Sequence, residues 1–241
     1  MSKKKLFSLA VVVIMIAILS FGTLAWFADS ESVKNDFWIA DSDHDTADKI
    51  FSVNVWEDKN GDGVADDDIA GDEEGLTYKD VLPGDVLKKE VVVENTGYYD
   101  QYIRVTVKVS DADAWSAVMG RTPELSQIVE GWDNADTWYC VDPVQVVDNN
   151  LVYVMYYRNI LLGDIANDND NVSFNAEAVT VFTAVKIPAS MTAKQAEAFQ
   201  NHFNITVKAE AVQTENLGID TSAGYAADKA FAKVEANHPI A

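Results

Sequence analysis

The stretch Tyr102-Ile103-Arg104-Val105-Thr106-Val107-Lys108-Val109 alternates apolar and polar side chains residue by residue. Successive side chains of an extended strand point to opposite faces, so Ile103 and the valines share one face, and the polar residues share the other. One apolar and one polar face are typical of an antiparallel sheet that covers a core on one side. The stretch therefore predicts a half-buried antiparallel strand.

Further strands are predicted on both sides of this stretch. Each is rich in β-branched and aromatic residues and is separated from its neighbours by turn residues, such as Leu82-Pro83-Gly84-Asp85 and Asn95-Thr96-Gly97. These predicted strands span residues 51–55, 86–94, 138–147, 151–157, 178–187 and 203–211. The chain is thus dominated by short strands joined by long connections.

Helical signals in the chain are short. The pair Thr122-Pro123 predicts a helix that runs towards Trp132, and the capping box from Thr192 to Gln195 predicts one to about His202. Strands that do not alternate with long helices disfavour a parallel α/β sheet. We predict an all-β fold for residues 41–221, a jelly-roll-like antiparallel β-sandwich with short helical inserts, and a weakly held helix in the Ala- and Lys-rich tail 222–241.

The first 25 residues have the layout of a signal peptide. Lys3-Lys4-Lys5 is the positive region, Leu6–Phe21 is the apolar run, and Thr23-Leu24-Ala25 has the small-x-small pattern of a cleavage site. A retained anchor helix is the alternative, but the apolar run is slightly shorter than the ~20 residues that span a bilayer. We predict cleavage between Ala25 and Trp26, secretion to the extracellular matrix or cell surface, and no membrane attachment afterwards.

Charge and cysteine content exclude several classes of function. The chain has 39 acidic and 18 basic residues, a net charge of −21, and no basic patch to neutralise phosphates, so we predict no nucleic-acid partner. Its hydrophobic content of 48% disfavours disorder despite that charge. Cys140 is the only cysteine, which excludes an intrachain disulfide. A sensor thiol or an intermolecular bridge is conceivable, but the apolar surroundings Trp138-Tyr139-Cys140-Val141 predict a buried structural cysteine.

Catalytic motifs are absent from the sequence. The three histidines, His44, His202 and His238, are scattered, and no His-Glu-x-x-His zinc motif is present. The chain also lacks a Gly-x-Ser-x-Gly elbow and a glycine-rich phosphate loop. No pair of carboxylates is singled out for glycoside hydrolysis among the acidic residues. We therefore predict a protein that is not an enzyme.

The Asp- and Gly-rich loop 57–74 contains a segment with the spacing of an EF-hand calcium loop. Calcium prefers oxygen ligands at loop positions 1, 3, 5, 7 and 9, with a glycine at position 6 for the sharp turn. The corresponding residues are Asp58, Asn60, Asp62, Val64 through its carbonyl, and Asp66, with Gly63 in position 6. Ile69 replaces the usual glutamate at position 12, so that ligand would come from Asp67, Asp68, Glu73 or Glu74.

A solvated acidic turn is the alternative for this loop, since Asp, Asn and Gly are also the preferred turn residues. The oxygen spacing favours bound calcium, and we predict a calcium site there. Two other acidic clusters, at 41–45 and 164–170, have weaker spacing and are predicted to be solvated loops.

The predicted mature N-terminal segment, residues 26–40, is unusually apolar for a chain end. It begins with Trp26, and Phe27, Val33, Phe37 and Ile39 fall on one strand face. Leaving these side chains in water costs about 25 cal/mol per Å² of apolar surface. The segment can pack as the first strand of its own domain, or it can complete the sheet of another copy by strand addition. Repeated head to tail without closure, the second contact generates a filament, and the residues alone leave both options open.

Several blocks of the sequence resemble the TasA/camelysin family of secreted proteins from Gram-positive bacteria. The signal-peptide junction Gly22-Thr23-Leu24-Ala25-Trp26-Phe27-Ala28-Asp29, with Asn35 and Phe37 downstream, carries the most specific likeness. The later blocks, in the family's order, are Leu82–Asp85 with Asn95–Gly97 and Tyr102–Val105, then Val185–Pro188, and then Ile205–Gln213 as the closing strand.

The resemblance implies a jelly-roll subunit that a SipW-type signal peptidase processes and that assembles into extracellular fibres of the biofilm matrix. The family's subunits donate the mature N-terminal segment to a neighbour, which implies a donor strand here from Trp26 to about Ile39. Its interface residues are Trp26, Phe27, Val33, Phe37 and Ile39, and its partner is another copy of the chain. Some family members are labelled metallopeptidases, but this chain has no recognisable zinc motif. The alternatives are a monomeric cell-surface binding or adhesion module and, less favoured, a camelysin-like metallopeptidase.

Overall fold

The computed structural model describes residues 28–32 by their backbone, and 51–66, 76, 78–97, 99–132, 136–163, 177–199, 202–215, 217–219 and 225–237. The strands are β1 (Ala28–Ser32), β2 (Val53–Asp58), β3 (Val86–Asn95), β4 (Gln101–Ser110), β5 (Val129–Glu130), β6 (Trp138–Tyr139), β7 (Gln145–Val147), β8 (Asn150–Tyr157), β9 (Ala178–Lys186) and β10 (Ile205–Gln213). The helices are α1 (Ala112–Met119), α2 (Leu125–Ile128), α3 (Ala193–Ala198) and α4 (Ala227–Asn237).

The strands form two antiparallel sheets. One sheet has the order β1-β10-β4-β8-β6, with β7 also paired to β8, and the other has the order β2-β3-β9-β5. Every pairing between these strands is antiparallel. The predicted all-β antiparallel sandwich is confirmed, and the finer jelly-roll connectivity stays a prediction.

The apolar faces of the two sheets enclose one core. On β4 the alternating residues Ile103, Val105, Val107 and Val109 have no exposed surface, as the sequence pattern predicts. They belong to the same buried cluster as residues of the opposite sheet, such as Val93 on β3. Burial of this apolar surface is the main favourable contribution to folding, at about 25 cal/mol per Å².

The edge of the six-stranded sheet at β6 and β7 is irregular. Both strands pair with β8, but the chain leaves β8 between them, so the predicted strand 138–147 is interrupted at 140–144. Pro143 lies in the interruption and has no backbone N–H to donate to the sheet. Cys140 is exposed in this segment, so the prediction of a buried cysteine is wrong. The neighbouring Trp138 is buried and donates its indole N–H to the carbonyl of Thr180 on β9 at 2.9 Å, which ties the two sheets together.

The helical predictions have mixed outcomes. The capping box that begins α3 is confirmed, with Thr192 and Gln195 bonded reciprocally. The helix predicted from Thr122 towards Trp132 is wrong: α2 covers only Leu125–Ile128 and continues directly into β5. Pairing of Val129 with Val185 on β9 pulls the chain into the sheet at that point. Among the described residues, no helix is long and apolar enough to cross a membrane.

Helix α4 lies on the outer face of the six-stranded sheet, through a cluster separate from the main core. The buried residues of this cluster are Tyr102, Val212, Leu217, Ala227, Ala230 and Phe231. Arg104 on β4 links the two layers, because its guanidinium lies 4.5 Å from the ring centroid of Phe231 and its Nε donates to Glu210 at 2.9 Å. The predicted tail helix is therefore present and held by both apolar and charged contacts.

The carboxylate of Glu210 makes the stability of this layer depend on pH. Burial raises its pKa, but the hydrogen bonds and positive charges of Arg104 and Lys208 outweigh that effect and hold the pKa below its ordinary value. A pKa that is lower in the folded state stabilises the protein above the ordinary carboxyl pKa, and this contribution is lost as the pH falls through the folded-state value.

We expect Glu210→Gln to lower the free energy of unfolding at about pH 7 by about 1–2 kcal/mol, because a charge-assisted bond is lost. The difference from the parent protein should shrink as the pH falls towards about 3. Urea unfolding at these two pH values measures the difference in the free energy of unfolding between variant and parent. Glu197→Gln, at an exposed position on α3, is the control and should change little; a deficit for Glu210→Gln that is equally large in acid would contradict the prediction.

Candidate functional site

The described part of the predicted donor segment is β1, and it pairs with β10 of its own chain. The register runs from Ala28 opposite Val212 to Ser32 opposite Lys208. β1 therefore takes the place that the first strand of a self-contained domain would occupy. The predicted interface residues Trp26, Phe27, Val33, Phe37 and Ile39, and the predicted cleavage site between Ala25 and Trp26, lie outside the described residues.

The edge of β10 that faces β1 has a buried backbone. Thr214 donates its backbone N–H to Asp100, and Ser110 donates to Asn204, so the even-numbered residues of β10 direct their backbone groups towards β4. The odd-numbered residues, including Ala209 and Ala211, direct theirs towards β1. Both alanines are at most 1% exposed. These alanines are buried with β1 in place, and their backbone groups on this side would lose their hydrogen-bond partners without it.

A groove for that strand lies between the two sheets. β2, an edge strand of the four-stranded sheet, contacts both β1 and β10. The inward residues along the groove are Val207, Ala209 and Ala211 on β10, and Val53 and Val55 on β2, all buried in the main core. The two alanines are the smallest side chains of this set, and β1 lies beside them.

The register of β1 does not match this apolar groove. Asp29 lies opposite Ala211, and Glu31 lies opposite Ala209. Directly opposite residues of an antiparallel pair share a face, so the two acidic residues hold the register positions on the core side. Charged residues at such register positions are one device by which natural edge strands avoid tight pairing.

The predicted calcium loop begins at the end of β2. Asp58 is the last residue of that strand and has no exposed surface. Its carboxylate accepts the backbone N–H groups of Asn60 at 2.9 Å and Gly63 at 2.8 Å, and also that of Gly61. Burial by itself raises the pKa of Asp58. These three hydrogen bonds and the positive charge of Lys88 lower the pKa by more than burial raises it, so the net shift is downward.

The other predicted ligands also hold the turn together. Asn60 Oδ1 accepts from the backbone of Asp62 at 2.8 Å, Asp62 Oδ1 accepts from Val64 at 2.9 Å, and Asp66 Oδ2 accepts from Lys59 at 2.7 Å. These bonds fix the carboxylates on one short loop, which is a partial fit to calcium.

Two observations count against a complete calcium site in the described loop. Lys88 places its ammonium group on the carbonyl of Asn60 at 2.9 Å. Within the described ranges, no group of three or more His, Cys, Asp or Glu side chains converges on one point. The candidates for position 12, which are Asp67, Asp68, Glu73 and Glu74, lie outside those ranges.

A buried ion pair next to the loop was not predicted from the sequence. Glu57 on β2 and Lys89 on β3 form a salt bridge, and their side chains are 2% and 7% exposed. Glu57 was assigned to the acidic loop 57–74, whereas Glu57 and Asp58 belong to β2. The alternation of Val53 and Val55 continues to Glu57, and this was the available signal for its inward position. The pair joins the groove wall β2 to the interior of its sheet.

The exposed Cys140 borders a shallow cleft, together with Glu124, Trp132, Asp142 and Tyr153. The thiol is shielded on the cleft side although the residue as a whole is exposed. This partial burial raises the pKa of Cys140, and the charge of Glu124 raises it further. A raised pKa favours the protonated thiol, which is a poor nucleophile. None of the described residues that line the cleft is a histidine, so the cleft does not resemble a Cys-His catalytic site.

Comparison of the chain with protein-family models, with curated proteins and with solved structures finds no match.

Proposed function

We propose that this chain is a secreted structural subunit that polymerises head to tail into extracellular fibres of a biofilm matrix. After cleavage by a SipW-type signal peptidase, the N-terminal segment of one copy would complete the sheet of the next copy. The observation that supports this proposal is the edge of β10, where Ala209 and Ala211 pair with a strand from the N-terminal segment, β1. Each contact between neighbouring copies in the fibre would use this same edge of β10.

The chemistry of the groove favours a donor with large apolar residues. Ala209 and Ala211 present small side chains on the core side of β10, and Phe37 and Ile39 share one strand face in the segment that resembles the family's donor. Main-chain hydrogen bonds would supply affinity, and the alternate side chains would supply specificity. Because the donor lies at one end of the chain and the groove on its body, the contact is heterologous and does not close on itself.

A monomeric surface module is the second candidate function. The pairing of β1 with β10 of the same chain favours it, because a copy with a complete sheet has no need of a neighbour. Such a protein would sediment as one species at all concentrations in analytical ultracentrifugation. The fibre subunit would instead give larger species as the concentration rises.

The donor role is tested by Phe37→Asp. A carboxylate at an inward position of the donor strand is costly in an apolar groove, so the variant should stay folded and monomeric while the parent protein forms fibres. Trp38→Asp, which makes the same aromatic-to-carboxylate change on the opposite face of the strand, is the matched control and should still assemble. Negative-stain electron microscopy provides the measurement, and fibres of normal length from Phe37→Asp would refute the donor role.

We further propose that calcium binds the loop that begins at Asp58 and makes the subunit more rigid. The spacing of oxygens and the fixed orientation of Asp58, Asn60 and Asp62 support this. The remaining ligand would come from the acidic residues of 67–74. Calcium would supply a cross-link between the end of β2 and the following loop.

Isothermal titration calorimetry tests the calcium site, with Asp62→Ala as the variant. Asp62 is the best position because it is exposed and accepts only one described backbone bond, whereas loss of Asp58 would also unfold the turn. We expect a heat of binding at millimolar calcium that Asp62→Ala abolishes. Asp142→Ala removes an exposed carboxylate elsewhere and should bind like the parent. No heat from the parent protein, or equal binding by Asp62→Ala, would remove calcium from the proposal.

A further inference from the structure

We infer that β1 is a self-cap: in the free subunit it covers the edge of β10 within one chain, and during assembly the downstream segment of a neighbouring copy displaces it. This inference rests on the proposed fibre function and concerns how polymerisation is held back. It assigns different tasks to two parts of the N-terminal segment, with Ala28–Ser32 as the cap and the residues around Phe37 and Ile39 as the donor.

The need for a cap follows from the backbone of β10. The N–H and C=O groups of Ala209 and Ala211 face away from β4, and both residues are buried. An uncapped subunit would leave these groups unpaired at an open edge, which also invites uncontrolled pairing with other chains. β1 supplies the missing partner from the same chain.

The cap is a poor complement to the groove that it covers. It is five residues long, and its core-side register positions opposite Ala211 and Ala209 carry Asp29 and Glu31. The groove is lined by apolar residues of β10 and β2. The pairing therefore satisfies the backbone, but the sequence of the strand, Ala-Asp-Ser-Glu-Ser, offers a single small apolar residue, which is the combination expected of a strand that can be displaced.

A better complement lies eight residues further along the chain. Residue numbers of opposite partners in the cap sum to 240, as for Asp29 with Ala211. A shift by an even number keeps the same face inward. If the donor pairs eight residues further along than the cap, the residue numbers of opposite partners sum to 248. Phe37 then lies opposite Ala211 and Ile39 opposite Ala209, so large apolar residues are placed opposite the two alanines. An incoming donor in this register gains apolar burial that the cap lacks, and this difference would drive the exchange.

Paired cysteines distinguish the two registers. Ser32 lies opposite Lys208 in the cap, at a pair that does not exchange hydrogen bonds, where opposing Cβ atoms are close enough for a disulfide. In the shifted register Lys208 lies opposite Ala40. We therefore compare two cysteine pairs, each in a chain that also carries Cys140→Ser. One chain combines Ser32→Cys and Lys208→Cys, and the other combines Ala40→Cys and Lys208→Cys. Ser32→Cys alone, with Cys140→Ser, is the control.

In freshly purified monomer, the Ser32/Lys208 pair should oxidise within the chain, remain a monomer on a non-reducing gel, and form no fibres until it is reduced. In assembled fibres, the Ala40/Lys208 pair should give a ladder of linked chains. The cap is overturned if the Ser32/Lys208 pair gives no intrachain bond while fibres still form, or if the locked monomer polymerises normally. The fibre function itself fails, separately, if neither the parent protein nor any reduced variant assembles.

A second variant tests the weakness of the cap without cysteines. Replacing both acids, Asp29→Val with Glu31→Val, puts apolar residues on the core side and should strengthen the cap. We expect a severalfold longer lag before fibre growth in a light-scattering assay. Ser30→Val, at the outward position opposite Glu210, is the matched control and should leave the lag unchanged. A lag that the double variant shortens or leaves unchanged contradicts the inference.

Discussion

Buried backbone groups at the edge of a sheet must be paired, and this constraint acts most strongly on β10. With β1 in place, Ala209 and Ala211 on the core side of β10 are buried, and their outward backbone groups would lose their hydrogen-bond partners if that strand left. The core on this side is consequently complete only when a strand lies between β10 and β2. In this structure β1 of the same chain lies in that place.

The opposite side of the sandwich has no such requirement. There β6, β7 and the interrupted segment between them give the edge a short and irregular outline, and Trp138 bonds across to β9. Short, broken edge strands offer little template for another chain. α4 covers part of the outer face of the same sheet through Arg104 and Phe231. At the edge of β10, by contrast, the neighbouring strand is β1, which comes from the N-terminal segment.

The sequence predicts those features that depend on local pattern, and it misses those that depend on distant partners. The alternation in β4 and the capping box at Thr192 each identify an element from a few neighbouring residues. Helix α1 follows Asp111, which has a positive φ of 64° and makes no side-chain capping hydrogen bond. The usual sequence signal for the start of a helix is therefore absent there. The end of α2 and the exposure of Cys140 are decided by pairing with β9 and β8. For the candidate site, the sequence singles out the N-terminal segment and the loop that begins at Asp58, and their roles stay predictions. The pairing of β1 with β10 and its register were not predicted, because both are relations between strands far apart in the chain.

The two candidate sites are mechanically connected through β2. This strand forms one wall of the groove and ends at Asp58, whose buried carboxylate organises the loop. The buried pair of Glu57 and Lys89 anchors the same end of β2 to β3, and removal of either partner would be destabilising, because the other would lose its opposite charge in the interior. The sheet therefore resists a shift of the loop. Any shift that does occur also moves β2, which is the groove wall. If calcium binds the loop, its effect on assembly should act by stiffening β2, because none of the proposed ligands lies on β10 or on the donor.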